Sequence, residues 1–228
     1  MRNTKMITIL GKAPAALLLT LVGIMAASST NATVLIIGAP GDANSGNCYP
    51  FGCSGGSEYQ QVYASSNFTG LITINDIEFY MNNSPGGNLN SGTYTFSLST
   101  TTVAVDNLDT TNFANNVGSD NALFGTYTLG GAAPSLLVFN GTSFTYNPAN
   151  GNLLLDIQAN ITQEGGSFYD ARNGDASGLF SRAHDFGSGF AGYGLVTGFS
   201  TTIPEPTTLA LLGLGLAGMT FSKRCKLS

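Results

Sequence analysis

The fold is indicated by a stretch in which apolar and polar side chains alternate, Tyr94-Thr95-Phe96-Ser97-Leu98-Ser99. An alternation with period two places every second side chain on the same face of a β-strand. Leu153, Leu155 and Ile157 repeat the pattern, and Leu154 between them predicts that this strand is buried on both faces. Both stretches therefore predict strands that contribute to an apolar core.

Short apolar or alternating stretches predict further strands on either side. They are Val34–Ile37, Tyr59–Ala64, Ile72–Met81, Leu123–Leu129, Leu136–Phe139, Ser143–Tyr146, Ser167–Ala171, Gly178–Arg182 and Gly194–Ser200. Turn-forming residues separate them, including Asn140-Gly141 and Asn150-Gly151, and Asn-Gly between apolar runs is a strong hairpin signal.

Two local irregularities are also predicted. Ile72 and Ile74 are in one alternating phase and Ile77 and Phe79 in the other, so Asn75-Asp76 between them marks a bulge or a turn. The best helical candidate is a short turn near Thr110–Asn116, with Asp109 as its N-cap.

About ten short strands with frequent turns are typical of an all-β domain. We therefore expect residues 33–200 to form a two-sheet β-sandwich that is jelly-roll-like. A β-solenoid is the alternative, but the sequence has no fixed repeat period.

Charge is sparse and unevenly placed. Charged residues make up 9% of the 228 residues, against about 25% in ordinary soluble proteins. Residues 33–203 contain twelve acids and two bases, Arg172 and Arg182, a formal charge of −10. Because such a body repels phosphate, nucleic-acid binding is excluded as a function.

The N-terminal residues resemble a secretory signal. Arg2, Lys5 and Lys12 precede an uncharged apolar run, Ala13–Ile24, which is short for a transmembrane helix of about 20 residues. Small residues near position 32 predict that signal peptidase cleaves between Ala32 and Thr33, so that residues 1–32 are a signal peptide. Cleavage after Ser29 and an uncleaved anchor are the alternatives.

Residues 201–228 form a second membrane-directed segment. Pro204-Glu205-Pro206 cannot join a helix or a central strand, because proline fixes φ and lacks an N–H group. An uncharged run, Thr207–Phe221, follows, and then Lys223, Arg224 and Lys226. Fifteen helical residues span about 22 Å, so this helix fits the bilayer only if the basic tail snorkels and the bilayer thins. The basic tail should stay cytoplasmic, which leaves the domain outside.

The order Pro-Glu-Pro, Leu/Gly-rich helix and basic end in residues 204–224 resembles the PEP-CTERM sorting signal. The resemblance implies recognition by exosortase, a multipass membrane Cys transpeptidase of Gram-negative bacteria. It also implies transient anchoring in the inner membrane, followed by transfer to the cell surface or to the extracellular matrix of a biofilm. Three segments, Gly46–Gly52, Tyr59–Tyr63 and Gly151–Ile157, are similar to segments of other PEP-CTERM ectodomains, which have no established activity.

Cys48 and Cys53 enclose four residues. In an exported protein a local disulfide is the expected outcome, with free thiols as the alternative and a metal pair less favoured. Cys225 lies in the basic tail, on the predicted cytoplasmic side.

The sequence offers little support for catalysis. His184 is the single histidine, with Asp170, Asp175 and Asp185 near it in sequence, but no Gly-x-Ser-x-Gly elbow accompanies it. One histidine also excludes a His-rich zinc site. We expect Arg172 and Arg182 to pair with neighbouring acids, and we expect no catalytic residue and no metal site.

Two binding alternatives remain open. Asp42-Ala43-Asn44-Ser45-Gly46 resembles the start of a Ca²⁺ loop without its glutamate, and Asp106, Asp109 and Asp120 lie in turns that could also hold Ca²⁺. Solvated turns are the simpler interpretation. Six tyrosines could stack on sugar rings: Tyr49, Tyr59, Tyr63, Tyr80, Tyr169 and Tyr193.

The sequence therefore predicts an exported, non-enzymatic surface or matrix protein with a structural or adhesive role linked to exopolysaccharide. A carbohydrate-binding module, with or without Ca²⁺, is the alternative from another class, and a secreted hydrolase is the least favoured.

Overall fold

The computed structural model describes residues 32–41, 45–53, 56–82, 86–173, 178–185 and 192–202. These residues form twelve β-strands and three short 3₁₀ helices. In chain order the strands are β1 (Ala32–Ile37), β2 (Ser45–Asn47), β3 (Glu58–Tyr63), β4 (Ile72–Tyr80), β5 (Asn88–Thr101), β6 (Ala122–Ala132), β7 (Leu136–Tyr146), β8 (Asn152–Gln163), β9 (Tyr169–Asn173), β10 (Phe180–His184), β11 (Tyr193–Leu195) and β12 (Thr197–Thr202). The predicted all-β class is confirmed.

The described strands form three sheets, and each pair of neighbouring strands is antiparallel. A four-stranded sheet has the order β1-β12-β4-β7, and a five-stranded sheet has the order β10-β3-β8-β5-β6. The third sheet has the order β11-β9-β2. The expectation of two sheets is therefore incomplete. The third sheet is built from strands of three to five residues, and β2, Ser45-Gly46-Asn47, has no apolar alternation by which the sequence could predict it.

The four-stranded and five-stranded sheets share one apolar core. Phe96 of β5 and Phe139 of β7 face each other with ring centroids 4.4 Å apart, and Tyr63 of β3 meets Phe199 of β12 at 5.0 Å. Tyr94, Phe96 and Leu98 are fully buried, as their alternation predicts. The two sheets are therefore held together chiefly by removal of aromatic surface from water.

The outer face of the five-stranded sheet is covered by a long connection, residues 102–121. Its Gly118 N–H donates to Ser99 Oγ over 3.1 Å, and Asn116 Nδ2 donates to Gln60 Oε1 over 2.8 Å. This cover explains why Leu154 is fully buried, as predicted, and why Ser99 is buried as well.

The predicted bulge at Asn75-Asp76 is confirmed. The register of β4 against β7 shifts between Ile74 and Asp76, and Ile72, Ile74, Ile77 and Phe79 all remain buried. The extra residue lets both alternating phases point into the same core.

The predicted helical turn is the 3₁₀ helix Phe113–Asn116, and its N-cap is Asn112 rather than Asp109. Asp109 instead accepts hydrogen bonds from the backbone N–H groups of Thr111 and Asn112, each over 2.9 Å. It closes the turn that leads into the helix, which is an alternative role for an Asp side chain near a helix start.

No helix among the described residues is long and apolar enough to span a bilayer. The predicted helix 207–221 lies outside the described residues.

A disulfide loop closes one end of the core. Cys48 and Cys53 are bonded, with Cα atoms 5.1 Å apart, which confirms the predicted disulfide. The loop inserts Phe51, which is fully buried. Asn90 Nδ2 donates to the carbonyl oxygens of Pro50 (3.1 Å) and Cys53 (2.8 Å) and holds the loop in place.

Phe51 lies where the three sheets meet. Its ring centroid is 4.9 Å from Phe79 of β4, 5.8 Å from Tyr94 of β5 and 5.7 Å from Tyr169 of β9. The backbone beside it is equally crowded, because a Cβ on Gly52 would lie 1.9 Å from the Ser167 carbonyl oxygen.

We predict that Phe51→Ala lowers the free energy of unfolding by about 3–5 kcal/mol, because it leaves a cavity among rings that cannot all move inward. Denaturant unfolding of the detergent-solubilised chain measures the loss. Phe168→Ala is the matched control, since Phe168 is 42% exposed and its truncation should change stability by no more than about 0.5 kcal/mol. Equal losses in the two variants would contradict the role assigned to Phe51.

Candidate functional site

The two termini of the described domain lie side by side. In the antiparallel ladder of β1 and β12, Ala32 pairs with Thr202 and Thr33 with Thr201. Thr201 Oγ1 donates to the Thr33 carbonyl oxygen over 3.2 Å. The predicted signal-peptidase site and the start of the predicted sorting segment therefore leave the domain at the same end of the four-stranded sheet.

Ala32 and Thr33 are the first two residues of β1. Cleavage between them would remove only the Ala32–Thr202 pair from the ladder, and the pairs from Thr33 to Ile37 would remain. This geometry is compatible with the predicted cleavage site, which stays a prediction.

The other residues predicted for sorting fall outside the described residues. They are the motif Pro204, Glu205 and Pro206 and the basic residues Lys223, Arg224 and Lys226. The signal peptide before Ala32 and the triplet Asp42-Ala43-Asn44 of the Ca²⁺ alternative also lie outside them.

His184 is buried at the end of β10. Its ring stacks on Tyr49 with a centroid distance of 5.3 Å. The neighbouring Asp185 uses Oδ2 to accept hydrogen bonds from Ser57 N (2.7 Å) and Ser57 Oγ (2.6 Å). Asp170 accepts from the Gly41 N–H group over 2.9 Å. The described bonds of both carboxylates therefore hold backbone turns, whereas a triad needs a carboxylate that orients the imidazole.

Arg182, two residues before His184, is buried among aromatic rings. Its guanidinium carbon lies 4.0 Å from the ring centroid of Tyr193 and 6.0 Å from that of Tyr59. A guanidinium over an aromatic face is stabilised by the ring quadrupole. Pairing of Arg182 and Arg172 with neighbouring acids stays a prediction.

Two concave regions stand out among the described residues. The cavity beside His184 is lined by Tyr49, Glu58 and Ile157 among others. Its volume is about 10 Å³, which is room for about one water molecule. A groove of about 340 Å³ runs beside β1. Its lining is Leu35, Ile36, Ile37, Gly38, Ala39, Asn67, Arg172 and Leu179.

The tyrosines considered for sugar stacking are mostly unavailable. Tyr59, Tyr63 and Tyr169 are buried in the core. Tyr49 and Tyr193 are only partly exposed, and each already contacts a neighbouring side chain, His184 or Arg182. Tyr80 is partly exposed and donates to Glu78 Oε2 over 2.8 Å.

The acids considered for Ca²⁺ each serve a different turn. Asp120 Oδ1 accepts from the Thr100 N–H group over 2.6 Å, and Asp106 Oδ1 accepts from the Gly192 N–H group over 2.6 Å. Asp109 binds the turn before the 3₁₀ helix and, with four hydrogen bonds to its carboxylate, has a pKa well below the usual range. In the described part of the chain no three His, Cys, Asp or Glu side chains converge on a point that could hold a metal ion.

Sequence reasoning missed a pair of carboxyl groups, Glu58 of β3 and Asp156 of β8. Asp156 pairs with Gln60 across the ladder and Glu58 with Gln158, so the two acids are diagonal neighbours on the outer face. Burial, the charge of Asp156 and a hydrogen bond to it raise the pKa of Glu58 to about 7. Burial also raises the pKa of Asp156. The pair therefore shares a proton when the surrounding solution is mildly acidic.

The surroundings of Glu58 and Asp156 explain why the pair retains a proton. Asp156 is 6% exposed, and its Oδ1 atom has no hydrogen-bond partner among the described residues. Gln60 Nε2 lies 3.4 Å from Glu58 Oε1 and also donates to the Phe113 carbonyl oxygen over 3.2 Å. Asp185 adds a third negative charge that raises the pKa of Glu58. Only the register of β3 against β8 brings these acids together, so no local sequence signal could have found them.

We predict that the fold loses stability as the pH rises from about 5 to about 8. The pKa of Glu58 is about 7 in the folded chain and 4.5 in the reference state, so the folded state binds more protons and the favourable contribution is lost through neutral pH. Thermal unfolding at the two pH values measures the change. Glu58→Gln should reduce the difference, whereas the control Glu78→Gln, on the four-stranded sheet, should retain it. An unchanged pH dependence in the Glu58 variant would show that another group is responsible.

Comparison with known proteins adds one finding. No curated protein and no solved structure matches the chain. Residues 202–224 match the family model of the PEP-CTERM protein-sorting motif. The match begins at the last residue of β12 and includes Pro204-Glu205-Pro206, the apolar run and Arg224. The chain therefore carries a PEP-CTERM sorting motif, which begins within the last described strand of the β-domain.

Proposed function

We propose that this chain is an exported, non-enzymatic component of the cell surface or extracellular matrix, with a structural or adhesive role linked to exopolysaccharide. The observation that carries the proposal is the sorting motif at residues 202–224. This motif is the recognition signal of exosortase, and it implies export and transient membrane anchoring before cleavage. The matrix role, the link to biofilm and the final location of the protein are what we propose beyond the motif.

The strand order supports a jelly-roll scaffold for this role. The orders β1-β12-β4-β7 and β3-β8-β5-β6 place eight strands in two facing sheets. The chain crosses from one sheet to the other between β3 and β4, between β4 and β5, between β6 and β7, and between β7 and β8. This is the alternation of a jelly roll, with β10 added at one edge.

The described concave regions support a non-enzymatic role. The groove beside β1 contains one ionisable side chain, Arg172, and no carboxylate or nucleophile that could act with it. The cavity beside His184 is too small for a sugar or an ester. Acid–base catalysis requires a positioned acid and base within reach of a bound substrate. The cavity contains Glu58 beside His184 but has no room for a substrate, and the groove contains no such pair.

The composition supports contact with hydrated polymers. Ser and Thr side chains are exposed on the edge strands of the four-stranded sheet, among them Thr33, Ser143 and Thr145, and they alternate there with exposed apolar side chains such as Val34 and Val138. Hydroxyl and amide groups donate and accept hydrogen bonds without a fixed charge, so such a surface can contact neutral and acidic polysaccharides alike.

Carbohydrate binding in a defined pocket is the alternative from another class. The burial of Tyr59, Tyr63 and Tyr169 disfavours it, because a stacking platform needs an exposed ring. Selective binding on a glycan array, lost when the partly exposed Tyr80 or Tyr193 is truncated, would favour the module over the structural role.

We predict that Glu205→Ala leaves the protein in the inner membrane, because the motif loses its only charge between the two prolines. Fractionation of a bacterium that carries exosortase, followed by immunoblotting, measures the membrane-retained and released forms. Glu164→Ala, which removes an exposed acid of the domain, is the control and should be released like the parent chain. Unchanged release of the Glu205 variant would contradict sorting through this motif.

We also predict no turnover of glycans or esters by the purified protein. Turnover that is abolished by His184→Ala and retained in the Glu164 variant would show that the protein is a hydrolase rather than a structural component.

A further inference from the structure

One end of the domain carries no charged side chain along the four-stranded sheet. The segments that meet there are residues 32–33, 64–74, 144–152 and 201–202, and their sequences contain no Asp, Glu, Lys, Arg or His. Strand register brings them together, since Thr202 pairs with both Ala32 and Thr73, and Ile72 pairs with Tyr146.

This uncharged end is well ordered by its own contacts. Asn152 Oδ1 accepts from the Ser65 N–H group over 2.8 Å, and the ring centroids of Phe68 and Tyr146 are 4.9 Å apart. Leu71 stands one residue beyond Ile72, at the tip, and is 45% exposed. The end therefore presents an exposed leucine within segments rich in threonine, serine and asparagine.

The nearest acid along the four-stranded sheet is Asp76, which lies on the far side of the Ile74–Thr201 pair and accepts a hydrogen bond from Asn140 Nδ2. Three further acids lie on a neighbouring connection. Asp106, Asp109 and Asp120 belong to the connection 102–121, which lies over the outer face of the five-stranded sheet. The backbone N–H of Asp106 donates to Ser181 Oγ over 2.7 Å, and Asp120 is held at Thr100 of β5. The side of the end formed by the four-stranded sheet is left without these charges.

The length of chain between this end and the sorting helix is short. The apolar run begins at Thr207, five residues after Thr202, and five residues reach at most about 18 Å when fully extended. The headgroup layer is about 5–7 Å deep. While the chain is anchored, Thr202 therefore lies within about 12 Å of the lipid surface, too close for the domain to be independent of it.

We infer that the uncharged end is a membrane-contact surface that rests on the lipid headgroups during anchoring, with Leu71 inserted at the interface. This inference rests on the anchoring stated under the proposed function. Bacterial inner membranes carry anionic lipid, which attracts cations and repels acids. The end without acids is the part of this acidic domain that can approach such a surface without repulsion, and the strand register directs both termini toward it.

A single introduced tryptophan tests the contact, because the chain contains no tryptophan. Leu71→Trp places the fluorophore at the tip. Leu136→Trp is the matched control, since Leu136 is 41% exposed and pairs with Tyr80 at the opposite end of β4, about 26 Å away. Each full-length variant is reconstituted into vesicles of phosphatidylethanolamine and phosphatidylglycerol in which part of the lipid is brominated on the acyl chain near the headgroup.

We expect the brominated lipid to quench the tryptophan at position 71 about twofold more strongly than the one at position 136, because tryptophan at the interface lies at headgroup level. The vesicles contain no exosortase, so quenching reports contact with lipid. Equal quenching at the two positions in chains that float with the vesicles would overturn the contact and leave the anchoring intact. Chains that fail to float would contradict the anchor and the contact together.

Discussion

The domain depends on the packing of aromatic rings across its sheets, and Phe51 is the residue at which all three sheets meet. Its ring contacts β4 through Phe79, β5 through Tyr94 and β9 through Tyr169. The Cys48–Cys53 disulfide closes the loop that carries it. Because charged residues are so few, the described sheets are joined mainly by apolar burial and by hydrogen bonds from neutral side chains. A local disulfide loop thus positions one ring, and that ring links strands that are far apart in the sequence.

The pairing of β1 with β12 connects the fold to sorting. It places the first and last strands next to each other and directs both termini to one end of the four-stranded sheet. The sorting motif begins at Thr202, within β12, so the segment that carries the exosortase signal starts in the last described strand. The absence of acids at this end, in residues 32–33, 64–74, 144–152 and 201–202, is the basis of the membrane contact that we infer.

Neutral polar side chains in the described domain mainly hold loops and connections in place through hydrogen bonds. Asn90 holds the disulfide loop, Asn116 joins the connection 102–121 to Gln60, and Asn152 accepts from the backbone N–H group of Ser65. Long connections without helices leave many backbone N–H and C=O groups that need partners. This need explains why Asp106, Asp109 and Asp120 each accept backbone hydrogen bonds in the described domain. The pair Glu58 and Asp156 is the exception, because its two acids compete for the same proton.

The sequence by itself determined the all-β class, the buried strands around Phe96 and Leu155, the bulge at Asn75-Asp76, the disulfide and the sorting motif. Each of these follows from residues close together in the chain, where periodicity, loop length and motif spacing are visible. Tertiary structure alone decided the third sheet, the position of Phe51, the carboxyl pair and the meeting of Ala32 with Thr202. These depend on register between strands separated by up to 170 residues, and register is fixed by the fit of the whole core rather than by local sequence.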